Sequence, residues 1–467
     1  MAQARSVATS LDVPRVQVIA PDHLGDTAVE VLRARGIEAR RSDAPGEDVI
    51  AWALEDVPSP RVALELADTC ARAARAGRPV CLFVPAARGR SQQAIVRAAT
   101  LSYLRAHGAA LGHDVDAWLE AVVALCRFGM PSGPHSAVIA PQGSWLEAQA
   151  LSIAAEAEAS GTRPPVVGKK HETTDVVLYD TSLAPGQTPQ LQIPVVARGE
   201  LGEEGALYGA RPALAAIAML GHAAERIAVG LGPAPADASQ TLDIDRERLA
   251  RQLAKLAPAM RVGDHETKVL LKSYGVAMVR QAVAVTPSAA VKKAREVKYP
   301  VELKPWGHDL PTEPEGCPVE RDLTSDAMVR RAFAAVLAAA GRLPTKTDTG
   351  AVIVREAPPL GREVAVQIVK LPALGWTVVV DAPGAPHVAA APAPLRVLDA
   401  EILASAVVAS RAGDPDPDRT GLANLLRRAS HLVVDHDERI GKLELPRVVV
   451  GGRGARSVVV DAWCELT

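Results

Sequence analysis

The residues best placed to do chemistry in the first part of this 467-residue chain lie in Ala106-His107-Gly108-Ala109-Ala110-Leu111-Gly112-His113-Asp114. A neutral imidazole is a competent nucleophile toward phosphorus. Asp114 can cap a helix over 115–126, and Pro141-Gln142-Gly143-Ser144 precedes a second, longer helix. Read alone, His107 is an exposed loop histidine. His431, Asp435, His436 and Asp437 are metal-ligating residue types, yet their placement reads as the polar end of a helix. Asp414 to Asp418 alternates with proline and lacks EF-hand spacing, so it reads as a loop. Gly451-Gly452-Arg453-Gly454 falls between two strands and reads as a hairpin turn.

These residues must be positioned by several domains, because a single core usually serves about 100–200 residues. Hydrophobic residues make up 48% and charged residues 23%, which excludes wholesale disorder. Aromatics are only 3%, so Ala, Val and Leu must fill the cores. A net charge of −2 offers no field for nucleic acid or an anionic membrane. The five cysteines are scattered without a C-x-x-C pair, so they read as buried small hydrophobes in a reducing compartment. Residues 1–14 lack the apolar core of a signal peptide, and no uncharged apolar run approaches about 18 residues. The expectation is a cytoplasmic protein.

From Arg15 the chain alternates short β-branched runs with helical patterns: strand 16–20, helix 26–35, helix 60–76, strand 79–84. Strand, helix, strand in this order implies a parallel sheet with helices on its faces. The rhythm restarts after Pro131-Ser132-Gly133-Pro134 with strand 136–140, helix 144–160, strands 175–179 and 193–196, and helix 212–222. The expected organisation is an α/β domain over 15–130 and a second over 131–229. A Gly/Pro/Ala linker over 230–241 and an α+β domain over 242–467 follow.

The third region resembles the ATP-grasp module of NDP-forming acyl-CoA synthetases. Residues 264–276, Asp-His-Glu-Thr-Lys-Val-Leu-Leu-Lys-Ser-Tyr-Gly-Val, are similar to its opening helix and "YGI". Tyr299-Pro300-Val301-Glu302-Leu303-Lys304 resembles its "YPVVLK" strand, Val352 to Glu356 its "VLVQE", and Gly361-Arg362-Glu363-Val364 its "GVEL". Leu425 to Ser430 and Val458 to Ala462 also fit, so the likeness covers nearly all of 240–467. It implies a nucleotide clamped between two α+β subdomains, with Lys304 neutralising phosphate, Glu356 near the adenine hinge and Glu363 beside the nucleotide. Taken alone, Lys304 is a solvated lysine at a strand end and Glu356 a surface carboxylate. The same resemblance makes the first two regions flavodoxin-like, succinyl-CoA-ligase-like domains, with His107 on the family's phosphohistidine in "SHTGALAGD".

Several family segments are altered. Where the family reads "SPDIPHKTDVGGV", this chain has Gly307 to Val319, with Thr312 in the histidine slot and Glu313 in the lysine slot; threonine cannot relay phosphate as imidazole does. His308 lies four residues before Thr312. The glycine-rich "FGLGG" becomes Val380 to Pro386, whose prolines remove amide donors. Expected acidic positions are replaced within Val388 to Ala391. The metal-binding "ELDINPL" becomes Lys442-Leu443-Glu444-Leu445-Pro446-Arg447-Val448, leaving Glu444 alone as a metal ligand. Magnesium wants several hard oxygens. The chain also lacks a glycine-rich CoA-binding first turn.

The resemblance therefore implies a catalytically impaired homologue acting as a scaffold or regulatory subunit. The alternative is an active ADP-forming subunit interconverting acyl-CoA, ADP and phosphate with carboxylate, CoA and ATP. ATP/ADP and Mg²⁺ would be cofactors if it is active, and CoA would bind only with a partner subunit. A protein partner or homo-oligomer is implied, with neither nucleic acid nor membrane. A well-formed cluster of carboxylates facing Lys304, supplied from elsewhere, would collapse the case for an idle scaffold.

Overall fold

The computed structural model describes residues 15–467 apart from 47, 87–88, 161–163, 169–173, 184–189, 198–205, 259, 345–349, 386, 409–416 and 453–454. Residues 1–14, Pro386, Asp414 and the tip of the 451–454 turn thus lie outside the described residues. Packing divides the chain into two compact units. One takes the chain up to Ala87 and again from Thr100 to Gly232; the other takes Arg88–Ala99 and Pro233–Thr467.

The first unit opens with β1 (Val16–Ile19), α1 (Asp22–Ala34), β2 (Ala39–Arg41), β3 (Val49–Ala53), α2 (Pro60–Arg75), β4 (Cys81–Phe83), the part of α3 (Gln92–Ala106) from Thr100 onward, β5 (Ala110–Gly112) and α4 (Val115–Phe128). Its strands pair in parallel in the order β2-β1-β3-β4-β5. Then come β6 (Ser136–Ile139), α5 (Trp145–Ser160), β7 (Val166–Val167), β8 (Val176–Asp180), β9 (Leu191–Val196), β10 (Leu207–Tyr208) and α6 (Ala210–Val229). These form a second parallel sheet, β10-β9-β8-β6-β7. Each order is the 2-1-3-4-5 pattern of an open doubly wound sheet.

Capping fixes the helix starts. Ser59 accepts from Val62 N before Pro60, and the Asp114 carboxylate accepts from Ala117 N at 2.8 Å, as its position suggests. Trp118 of α4 is buried beneath the first sheet and donates to Cys81 O. α4 and α6 share one apolar core with strands of both sheets, which is why the two α/β regions form one unit. α6 is the one described helix long and apolar enough to cross a membrane; here half of its apolar stretch is buried in that core. All five cysteines are buried and unpaired.

The second unit continues through α7 (Arg246–Leu253), β11 (Arg261–Val262), α8 (Asp264–Ser273), β12 (Gln281–Ala284), α9 (Pro287–Val297), β13 (Val301–Pro305), β14 (Glu320–Leu323), α10 (Asp326–Ala340) and β15 (Val352–Glu356). It ends with β16 (Gly361–Leu371), β17 (Gly375–Asp381), β18 (Ala389–Pro392), α11 (Val397–Val407), α12 (Arg419–Asp435), β19 (Ile440–Gly451) and β20 (Val458–Leu466). Two antiparallel sheets result, a four-stranded β12-β15-β13-β14 and a six-stranded β11-β20-β19-β16-β17-β18. α9 and α10 bury the apolar alternation of the smaller sheet. α8, α11 and α12 cover the larger one. Gly263 precedes α8 at a backbone crossing so tight that a Cβ there would meet Gly307 O at 2.0 Å.

Candidate functional site

Lys304 is not solvated. It sits in the middle of the second unit, 1% exposed, on β13 between β14 and β15. Its Nζ donates to Asp461 Oδ1 of β20 at 2.6 Å and lies 3.6 Å from Asp264 and 3.8 Å from Glu313. Asp264 opens α8, and one turn later Lys268 donates to it at 3.1 Å. Lys268 Nζ also donates to Gln281 Oε1 and to Val460 O, both at 2.7 Å.

A second layer surrounds Arg355, fully buried on β15 and in register with Glu302 of β13. Arg355 Nε donates to Glu302 at 2.9 Å, and its guanidinium pairs with Glu313. Glu313 leads a short 3₁₀ turn (Glu313–Glu315) capped by Thr312. It also pairs with Arg321 of β14 at 3.1 Å and Arg447 of β19 at 3.2 Å, while its amide donates to Asp461 Oδ2. Arg447 reaches onward to Glu363 of β16 at 2.8 Å. Lys268, Lys304, Arg321, Arg355 and Arg447 are thereby balanced against Asp264, Glu302, Glu313, Glu363 and Asp461.

Burial tends to raise the Asp264 pKa, but Lys268, Lys304 and Arg355 pull it down to about 2. Glu313 is likewise held at about 2, against burial, chiefly by Arg355, then Lys304 and Arg447. For Lys268 burial wins over Asp264, and its pKa falls to about 8. Burial also opposes the charge on Lys304, but Asp264 and Asp461 reverse this and hold the ammonium above its ordinary range.

The sequence-derived candidates are only partly brought together. Lys304 and Glu363 join the network, the latter half-exposed and bound through Arg447. Glu356, at the end of β15, binds the backbone N and the Nε of Arg280, both at 2.7 Å. Glu444 pairs with Lys442 at 2.6 Å, its one ion pair among the described residues. His308 accepts from Gly263 N at 3.1 Å, a role in holding the loop.

His107 lies in the other unit, just past the end of α3, a helix the sequence reading missed. Its Nδ1 is held 2.8 Å from Tyr103 O and its ring stacks on Tyr103. Burial pushes its pKa down. Gly108, at φ +88, brings it against the carboxyl ends of α2 and α6, where a Cβ would strike Ala74 and Leu231. The helix carboxyl ends there disfavour a phosphoryl dianion, whereas Arg75 and Arg226 near the ring favour one. The N-terminus of α4 lies at the opposite end of β5.

Carboxylates do therefore cluster on Lys304, from Asp264, Asp461 and Glu313, none of which the sequence reading singled out for this role. A signal for them existed: charges of both signs inside strands and helix faces that must be buried. This is the arrangement expected to collapse the idle-scaffold reading. Each carboxylate is already paired with a base, however, Asp264 with Lys268, Asp461 with Lys304 and Glu313 with Arg355 and Arg447, so the cluster offers no uncompensated charge to a metal. Pro446 brings no side-chain oxygen, and the next residue, Arg447, puts a guanidinium between Glu363 and Glu313. No group of three His, Cys, Asp or Glu side chains suited to a metal occurs among the described residues. These residues do not fit a magnesium ion.

Residues 257–466 match the model of the ATP-grasp domain family. The beta subunit of ADP-forming acetate–CoA ligase I from Pyrococcus furiosus is 27% identical over 207 residues, 42% of this chain and 89% of that protein. The beta subunit of ligase II from the same organism is 25% identical over 209 residues, 43% of this chain and 89% of that protein. A solved structure of dinucleotide forming acetyl-coenzyme A synthetase 1 from Ca. Korarchaeum cryptofilum, with coenzyme A and Ca-AMPCP, is 24% identical. It aligns with a TM-score of 0.43 over 48% of this chain and 100% of that one. Residues 257–466 of the second unit thus carry an ATP-grasp domain, similar to the beta subunits of ADP-forming acetate–CoA ligases.

Proposed function

We propose that this chain is a catalytically impaired relative of ADP-forming acyl-CoA synthetase subunits, acting as a scaffold or regulatory subunit. One observation carries the reading: Arg447 bridges Glu363 and Glu313 in the segment where the resemblance calls for magnesium ligands. Phosphoryl transfer needs a divalent cation to neutralise developing charge, and a guanidinium already paired with two carboxylates occupies the acidic side chains that would have to hold one. On the same reading the two parallel sheets are flavodoxin-like, succinyl-CoA-ligase-like domains, CoA comes with a partner subunit, and His107 carries no phosphate.

Calorimetric titration with ATP, with and without Mg²⁺, tests this. The expected result is weak binding that changes less than about threefold with the metal, since on this reading no metal bridges the phosphates to couple the two. Tight, strictly Mg²⁺-dependent binding would overturn it. A second titration addresses the histidine. Incubation with a phosphoryl donor should give no acid-labile, base-stable label that is lost in His107→Ala.

The second reading, an active ADP-forming subunit, is supported by the length of the beta-subunit match, 89% of each relative. It requires release of CoA and ATP from acyl-CoA, ADP and phosphate once a CoA-binding subunit is supplied.

A further inference from the structure

We propose that Glu313 is a built-in occupant of an anion site, a carboxylate standing where a phosphate group would otherwise bind. The inference rests on the impaired ATP-grasp reading and adds to it the ligand class and the residue that excludes it.

Four bases converge on this one carboxylate: Arg355, Arg321 at 3.1 Å, Arg447 at 3.2 Å and Lys304 at 3.8 Å. The bases and the carboxylate differ in how they are held. All four bases stand on strands, β15, β14, β19 and β13, and Lys304 and Arg355 are almost wholly buried. Glu313 comes from a three-residue 3₁₀ turn, which ends at Gly316 in the left-handed region, φ +108. Such a turn is a much easier element to move than a paired strand.

Lys304 and Arg355 keep Asp461 and Glu302 as second partners. Arg447 keeps Glu363. Withdrawing Glu313 therefore leaves a strand-framed pocket with net positive charge, preorganised for a tetrahedral oxyanion with several acceptor oxygens. A guanidinium fork serves carboxylate and phosphate alike, so the two compete for the same donors. The ligand class is a phosphate group, free or carried on a nucleotide, entering without a metal ion.

The test compares the full-length protein with Glu313→Gln and Glu313→Asp. Gln keeps the volume and removes the charge; Asp keeps the charge and draws it back by one methylene. Each is titrated calorimetrically with inorganic phosphate, pyrophosphate and ADP in metal-free buffer at constant ionic strength, with thermal melts to confirm folding. Glu313→Gln should bind at least one of these about tenfold or more tightly than the natural protein, and Glu313→Asp should fall between. Preference for phosphate and pyrophosphate over ADP assigns a free anion; preference for ADP assigns a nucleotide. Equal, weak binding by the natural protein and the folded variants overturns the inference. Should Glu313→Gln unfold, no gain in Glu313→Asp overturns it equally. The impaired reading fails on different evidence, namely tight Mg²⁺-dependent ATP binding or turnover by the natural protein.

Discussion

Replacing Arg355 by methionine is expected to destabilise the second unit by about 3–5 kcal/mol, the usual cost of leaving a buried ion pair with one partner missing. Arg355 is fully buried, and its guanidinium serves Glu302, Glu313 and Val460 O at once. Methionine fills much of the volume but leaves Glu302 with only Arg321, itself half-exposed and 3.6 Å away. Urea denaturation, with hydrogen exchange to locate the loss in β13 and β15, measures it. A loss below about 1 kcal/mol would mean that the ion pair is solvated. The double variant Glu302→Leu/Arg355→Met should regain much of the loss, since a hydrophobic pair often replaces a buried ionic one at little cost. The network is thus expensive to break without being a net source of stability.

How far the sequence disclosed these positions depended on how strongly each element declares itself locally. α8 and α2 have clear apolar stripes and glycine stops, and both matched within a residue or two of the reading. No element is read over 92–105, so α3 is absent from the reading, and Ala106 to Asp114 enters only as a motif. In fact it spans a helix end, a left-handed Gly108 and the strand β5. Of the twelve residues of β19, only 447–450 reads as a strand in the sequence. Lys442, Glu444, Pro446 and Arg447 break its apolar alternation, and the ladder shifts register between Glu444 and Arg447. The same irregularity that hid the strand aims Arg447 at Glu363 and Glu313. Lys304 taken alone reads as a solvated lysine, because a strand-end lysine carries no local sign of its partners; its phosphate role comes from the resemblance. Asp264 and Asp461 lie 40 and 157 residues away in the chain. Pairings over such distances are set by tertiary packing alone. A buried run bearing Glu302, Lys304, Arg355 and Asp461 still required counter-charges, and that requirement was legible.

The network should also set the acid limit of the protein. Asp264 and Glu313 are held at about 2 in the folded chain, against an ordinary carboxylate pKa near 4. Between these values the unfolded chain takes up protons that the folded chain refuses, so stability falls as pH falls. Above about pH 5 both carboxylates are ionised in either state, and their contribution is full and constant. Below about pH 4.5 it declines, and by about pH 2 most of it is gone. Each shift is worth on the order of 3 kcal/mol taken singly, and less than the sum together because they share Lys304 and Arg355. His107, His431 and His436, whose pKa values burial lowers, act with the same sign over a higher window, giving a gentler loss that begins near pH 6.5. Denaturant midpoints measured from pH 8 to 2.5 should therefore show a plateau, a shallow decline and then a steep one. Glu313→Gln removes one of the protonating groups and should flatten the steep part by up to about 1.4 kcal/mol per pH unit. A steep limb unchanged in that variant would show that Glu313 is not held ionised by the four bases around it. Both the charge-balanced site and the anion pocket inferred from it would then fall.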